Sequence, residues 1–401
     1  MSPTPNYVAD PYQMFPVETR PRTWRVSALK QVSYEVRITR GLFDLGNPEL
    51  LQIGRPPEGK KLRRFVVIDE TVDVFHGEMI RRYFQYHEVE HRILVLPMSE
   101  QLKTMDAVFT VIKGLDDFGI ARRHEPIIGI GGGVLLDVVG LTASLYRRST
   151  PYIRVPTTLI GLVDAGVGAK TGVNFGHHKN RIGTYFPSLV TFLDRSFLAT
   201  LDLRHISNGL AEILKIALMK DRRLFELLEL HGAQLIEERL QGYTEESDRV
   251  AEEVLYRAIQ GMLEELEPNL WEQKLERLVD FGHSFSPTIE MHALPELLHG
   301  EAVTIDMALS TILSCQRGFV TPKQRDRIFA VMRQLRLPVS HPLCEPELLR
   351  QALEDTVRHR DGLQRLPLSI SIGAGYFVND LTADELALAA AQLRELGDGC
   401  G

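Results

Sequence analysis

Three short apolar runs near the start of the chain leave few folds open. RRFVVID (63–69), HRILVLP (91–97) and EPIIGI (125–130) are each four to seven residues of mainly branched apolar side chains. Between them lie stretches of helical period, VDVFHGEMIRRYFQYH and residues 101–118. Runs of this length with apolar character throughout predict strands buried on both faces, and helices between them predict a parallel sheet covered on both sides. After about Phe197 the pattern changes. Helical periodicity is expected over 207–220, 250–265, 300–317, 323–335, 347–359 and 383–396, interrupted by a pair of short strands at 366–370 and 375–378. The expected fold is an α/β half, a Rossmann-like doubly wound sheet, followed by a mainly helical half.

Composition narrows the function. The 401 residues are 44% apolar and 25% charged, enough for two sizeable cores. A net charge of -7 gives no basic footprint for nucleic acid. No apolar run approaches the roughly 20 residues that a membrane helix needs. The N-terminus, MSPTPNYVADPYQMFP, lacks the basic and apolar regions of a secretory signal, and residues 1–25 are expected to form a loose arm. Three widely spaced cysteines, Cys315, Cys344 and Cys400, suit reduced thiols in a cytoplasmic protein.

Gly131, Gly132 and Gly133 follow the third strand and open a helix. Backbone without side chains at a helix N-terminus lets a dinucleotide pyrophosphate approach unpaired N–H groups; a tight structural turn is the competing reading. Asp69 and Glu100, at or just past strand ends, are candidates for ribose hydroxyls or for helix N-caps. Asp137 lies one turn into the glycine helix, within reach of the nicotinamide or substrate side of a cleft. Residues 26–196 are therefore expected to form an NAD-binding domain, and 197–401 a helical domain for metal and substrate.

The metal candidates are Glu212 in NGLAEILK, His283 in FGHSFSP, a segment that reads as helical, and His299 at a helix start in HGEAV. Two imidazoles and a carboxylate leave a fourth position open, as catalytic zinc requires. The spacing is not a compact motif, and most of the 13 histidines should be surface or hydrogen-bonded core residues. Lys215 shares a helix face with Glu212, either as a solvated pair or as an anchor for an anion beside the metal. In the segment 155–185, Thr157 and Thr158 follow a strand. Asp164, Lys170, Asn174, Lys179 and Asn180 would form a polar wall. The glycines of AGVGAKTGV suggest close backbone approach to a ligand, or a surface hairpin.

GGGVLLDVVGLTASLYRR, VPTTLIGLVDAGVGAKTGVN, KNRIGTY, NGLAEILK, FGHS and HGEAV, in this order, resemble the sugar-phosphate cyclase superfamily, typified by 3-dehydroquinate synthase. The resemblance covers nearly the whole chain after residue 25. It implies a Rossmann-like domain followed by a helical domain, usually in a homodimer, with bound NAD and a divalent metal, Zn2+ or Co2+. It puts Glu212, His283 and His299 at the metal. It puts Asp137, Asp164, Lys170, Lys179, Asn180 and Lys215 at substrate or cofactor positions. Asp69, Glu100 and Lys103 fall near the adenosine, and Arg148 matches an arginine lent to the phosphate site across the dimer.

The departures carry information too. Where dehydroquinate synthases typically read NFGHTxGH, this chain reads DFGHSFSP, with Asp280 for an asparagine and Pro287 for a second histidine. His359, in RHRDG, stands where the family has a basic contact to a substrate carboxylate. These changes argue against a carboxylated substrate. Together with DAGVGAKTGVNF and EPNLWEQ they look like the 2-epi-5-epi-valiolone synthase branch. That branch cyclises sedoheptulose 7-phosphate by transient oxidation, phosphate elimination, re-reduction and aldol closure, as the first step of a C7-cyclitol pathway. A 2-epi-valiolone or desmethyl-4-deoxygadusol synthase, a dehydroquinate synthase and a metal-dependent alcohol dehydrogenase are the alternatives.

Overall fold

The computed structural model describes residues 18–20, 23–28, 30–176 and 178–398. Most of the expected arm, and Cys400, lie outside them. A small antiparallel pair, β1 (Glu18–Arg20) and β2 (Thr23–Arg25), comes first. The sheet half then runs β3 (Glu35–Thr39), α1 (Glu49–Gln52), β4 (Arg63–Asp69), α2 (Glu70–Tyr86), β5 (Glu90–Leu96), α3 (Met105–Phe118), β6 (Ile127–Gly131), α4 (Gly133–Leu145), β7 (Tyr152–Pro156), a hairpin of β8 (Lys170–Phe175) and β9 (His178–Tyr185), and β10 (Val190–Asp194). The helical half contains α5 (Leu203–Met219), α6 (Arg222–Glu237), α7 (Glu245–Leu266), α8 (Ser286–Ala293), α9 (His299–Gln316), α10 (Pro322–Gln334), α11 (Pro346–His359), the hairpin β11 (Leu366–Ser371) and β12 (Ala374–Val378), and α12 (Ala383–Asp398).

Six strands pair in the order β3-β10-β7-β6-β4-β5, all parallel. Both faces are covered, and β4 shows why its run reads as continuously apolar. Phe65 and Val67 join a core with Val111 and Leu115 of α3, while Val66 and Ile68 join one with Ile80, Tyr83 and Phe84 of α2. The chain leaves β4 for the edge strand β5, then returns to β6 on β4's other side. That reversal sets the carboxyl ends of β4 and β6, Asp69 and Gly131, on the two sides of a crevice, the place where open α/β sheets bind ligands.

In the helical half, α5 and α9 are central. Every residue from Ile206 to Met219 and from Gly300 to Ser314 is buried. A helix apolar all round belongs inside a core, so the charged residues on these helices, Glu212, Lys215, Glu301 and Asp306, must each find partners. His283 does not sit in a helix; it lies in the irregular turn that leads into α8, which begins only at Ser286. Gly282 makes that turn at φ +77, and the missing Cβ would fall 2.9 Å from Val303 Cγ1, so glycine serves both turn and packing.

Candidate active site

The start of α9 is pressed onto α5. Gly300 N–H donates to Asn208 Oδ1 at 2.6 Å, and a Cβ on Gly300 would lie 2.0 Å from the Asn208 carbonyl oxygen. Only glycine permits that approach, and it sets His299 beside Glu212, one turn further along α5. The turn carrying His283 is fixed from below. The buried Asp306 carboxylate of α9 accepts the N–H groups of Ser284, Phe285 and Ser286 at 2.8, 2.6 and 2.9 Å.

Glu212, His283 and His299 thus meet in space; among the described residues they form the one such cluster with donor atoms all within 4.8 Å of one another. His299 Nε2 is 3.4 Å and His283 Nε2 3.7 Å from Glu212 Oε1. Ligands about 2.1 Å from a tetrahedral ion stand about 3.4 Å apart, so these gaps suit a cation and are too long for good hydrogen bonds. Both Glu212 oxygens are buried without a hydrogen bond, although the Lys215 ammonium is ion-paired to Oε2. Lys215 balances the charge at Oε2, while Oε1 faces the two Nε2 atoms with no hydrogen bond, a position that a cation would complete.

The second nitrogens of the imidazoles are engaged. His283 Nδ1 lies 3.2 Å from the Phe281 carbonyl and His299 Nδ1 2.8 Å from Glu290 Oε2, acceptors that favour the ring proton on Nδ1 and orient each Nε2 towards Glu212. Burial, then Lys215, push His283 down to about 3, so it is neutral as a ligand must be. Burial and Lys179 work against protonation of His299, but Glu290 and Glu212 outweigh them and raise it to about 9. Burial alone would raise Glu212; Lys215 and the two histidines hold it well below the ordinary carboxylate range. A pocket that draws a proton onto His299 this strongly would draw a divalent cation in its place. The histidine side chains keep 24% and 25% of their surface open, leaving room for a further ligand.

Beside the triad lies a charged wall. Burial pushes the Asp164 carboxyl up, against the pull of Lys215. Burial, then Arg277, push the Lys170 ammonium down to about 8, an effect softened by solvent because 57% of the side chain is open to water. Lys170 and Arg277 both pair with Glu272. Asp280 accepts from Arg277 and stands 3.8 Å from Arg360; burial would raise its pKa, but Arg277, Arg360 and Lys170 hold it low. His359, ending α11, is lowered by burial, then by Lys170 and Arg360.

On the sheet side, Lys103 is buried and donates to Asp137 Oδ2 and Asn180 Oδ1, both at 2.6 Å. Asn174 donates to Glu100, and Lys179 bridges to Glu290 at 2.6 Å, so the β8–β9 hairpin ties the sheet half to the triad. The segment expected to be a ligand approach or a hairpin is a hairpin that carries polar groups into the cleft. Gly131–Gly133 form the β6–α4 turn; a Cβ on Gly132 would lie 3.1 Å from Thr158 Cγ2, and one on Gly133 3.1 Å from Ala165 Cβ. Thr157 N–H donates to the Gly131 carbonyl, and Thr158 Oγ1 accepts from Gly161 N–H. Asp69 caps α2 through Thr71 N–H. Arg148 is exposed at φ +59, beyond β6 and α4, and within the described residues joins neither an ion pair nor a hydrogen bond through its side chain.

The sequence reading missed Glu290, Asp306, Glu272 and Arg277. A histidine ligand needs an acceptor for its other nitrogen, so an acid on the helix after FGHS was the available signal for Glu290.

Sequence models of the 3-dehydroquinate synthase N-terminal and C-terminal families match residues 93–208 and 209–358. A 2-epi-5-epi-valiolone synthase from an Actinomyces species is 61% identical over 94% of this chain and 99% of its own length. Another of that name from Streptomyces albus is 60% identical over 94% and 91%. The solved structure of ValA, the 2-epi-5-epi-valiolone synthase of Streptomyces hygroscopicus subsp. jinggangensis, with NAD+ and Zn2+ bound, superposes with a TM-score of 0.87 at 56% identity, covering 93% of this chain and 100% of that one. On sequence and fold alike, the chain belongs to the 3-dehydroquinate synthase family.

Proposed function

We propose that this chain is a 2-epi-5-epi-valiolone synthase, which binds NAD and Zn2+ or Co2+ and cyclises sedoheptulose 7-phosphate with release of phosphate. The observation that carries the metal-dependent reading is the buried Glu212 Oε1, which has no hydrogen bond and faces the Nε2 atoms of both His283 and His299. Glu212, His283 and His299 would hold the cation. The Gly131–Gly133 turn, Asp69, Glu100, Lys103, Thr157 and Thr158 would line the dinucleotide site at the sheet's crevice, in residues 26–196, with the metal and most substrate contacts in 197–401.

When bound, NAD takes a hydride from the sugar and later returns it, while the cation acidifies the sugar hydroxyls. The protein's part is placement and charge. Lys170 and Lys215 would neutralise the phosphate, with Arg148 reaching it from a partner subunit in a cytoplasmic homodimer. Asn180, fixed by Lys103, would orient it. Asp164, whose carboxyl is pushed up by burial, is suited to exchange a proton with the substrate. Asp137 and Lys179 would position the reacting carbons. Asp280 favours a substrate lacking a carboxylate: it already neutralises Arg277 and faces Arg360, so a second carboxylate would meet repulsion there.

The test is incubation with sedoheptulose 7-phosphate, NAD and Zn2+ or Co2+, following free phosphate and NADH and identifying the product by NMR. Phosphate release without net NADH, with couplings of the 2,5-epimer, is expected. Turnover of 3-deoxy-arabino-heptulosonate 7-phosphate instead would make the chain a dehydroquinate synthase, and net NADH would make it an alcohol dehydrogenase.

A further inference from the structure

Arg154, in the middle of β7, is fully buried, and its guanidinium donates only to backbone carbonyls. Those carbonyls belong to Ala165, Gly168 and Lys170, at 3.3, 2.5 and 2.9 Å. The carbonyls between them are held as well. Gly166 accepts from Thr191 Oγ1 at 2.8 Å, Val167 from Tyr34 O–H at 2.9 Å, and Ala169 from Phe186 N–H at 2.7 Å. Every carbonyl from Ala165 to Lys170 is therefore bound, half of them by one arginine. The segment begins at a single π-helical turn, Gly161–Ala165, which carries Asp164, and ends at Lys170. Burying a charged guanidinium is costly, and a loop in solvent would hydrogen-bond to water instead. The arrangement makes sense where the loop's shape matters more than stability.

We infer that Arg154 is a positioning residue for the reaction: it fixes the 165–170 loop so that Asp164 and Lys170 face the substrate, without touching the substrate itself. The activity part of this inference rests on the proposed cyclase reading; the loop part does not.

Arg64 supplies a matched control. It too is fully buried, and it donates only to carbonyls, those of Ile53, Gly54 and Arg63, away from the cleft. Arg154→Gln and Arg64→Gln would be compared in the NAD- and Zn2+-loaded protein. For Arg154→Gln, deuterium uptake by amides 161–170 should speed by about tenfold relative to the rest of the sheet half. Its kcat/KM for phosphate release should fall by about tenfold or more. Zinc content and NAD affinity should stay within about twofold of the unsubstituted protein. Arg64→Gln should lower the melting temperature but leave loop exchange and kcat/KM near their starting values. Unchanged exchange at 161–170 overturns the inference whatever the substrate proves to be. So does an activity loss that Arg64→Gln reproduces at equal destabilisation. If Arg154→Gln does not fold, Arg154→Lys decides, because it keeps the buried charge but lacks the planar fork that reaches the Ala165, Gly168 and Lys170 carbonyls together. Faster loop exchange with retained zinc supports the inference, and unchanged exchange overturns it. Inactivity of the unsubstituted protein would count against the cyclase reading only.

Discussion

The two walls of the cleft are built from different materials. The sheet wall is mostly backbone: a strand end, a glycine turn and a helix start, with Thr157 and Thr158 packed against it. The helical wall is mostly buried charge. Glu212, Lys215, Glu290 and His299, with Lys179 reaching across from β9, compensate one another in a space from which water is largely removed. A wall of backbone dipoles is complete without a ligand and indifferent to pH in the ordinary range. A wall of mutually compensating charges is complete only with all its members, and losing one leaves another uncompensated.

The contrast is broken most directly at His283. His283→Ala should abolish metal retention and lower phosphate release by about three orders of magnitude or more. NAD affinity, which depends on the other wall, should change by no more than about twofold. Metal analysis beside a dinucleotide titration reads both; a variant that keeps its metal, or loses NAD as well, ends the two-wall description. One step out, Glu290→Gln keeps the shape but removes the charge that receives His299 Nδ1–H and the Lys179 ammonium. Loss of such a partner should weaken metal binding by about 10–100-fold, read by competition with a chelator. Unchanged affinity would mean that His299 needs no anionic partner.

On the backbone wall the sensitive property is space. Gly132→Val puts a branched side chain where the Cβ alone is 3.1 Å from Thr158 Cγ2. NAD should bind about tenfold more weakly, roughly 1.4 kcal/mol, with metal content untouched. If NAD affinity holds, the turn is tight for packing reasons alone, the competing reading of those glycines.

The same contrast explains what was legible in the sequence. Backbone-made features leave local signatures. RRFVVID and EPIIGI name strands because both faces are buried, and GGG after a strand names the crevice. The parallel sheet and the helical half follow from such patterns, as do α5, α7, α9, α10, α11 and α12. Strands β3 and β10 did not: EVRIT is half exposed and only partly apolar, and VTFLD, though buried, is a short run broken by Thr191. Helix α6 leaves a weak signal because its stripe of Leu224, Phe225, Leu228 and Leu235 is broken by Gly232 and crowded by charge. Charge-made features are relations between distant residues. Glu212 and His299 stand 87 positions apart, and only the close packing at Gly300 joins them. The resemblance to a family named them; spacing did not. Arg277 and Glu272 were invisible because one more Arg–Glu pair looks like any solvated surface pair.

Charge outside the cleft gives the smallest expected effect and sharpens the comparison. Glu385, in the first turn of α12, accepts from Arg317 Nε and Nη2, both at 2.9 Å, and from Thr382 N–H at 2.9 Å. Those contacts, Arg317 first, hold its carboxyl down to about 2, yet 32% of the side chain remains open to water. Solvent screening should keep its contribution within about 1 kcal/mol. Because the folded-state pKa is depressed, that contribution is full above the ordinary carboxylate value of 4.5 and is lost as pH falls towards about 2. The melting temperature of Glu385→Gln should therefore lie slightly below that of the unsubstituted protein at pH 7, and the gap should narrow below pH 4.5. A loss at pH 7 as large as that of a buried ion pair would show that bidentate geometry, rather than burial, decides what a charge is worth in this molecule.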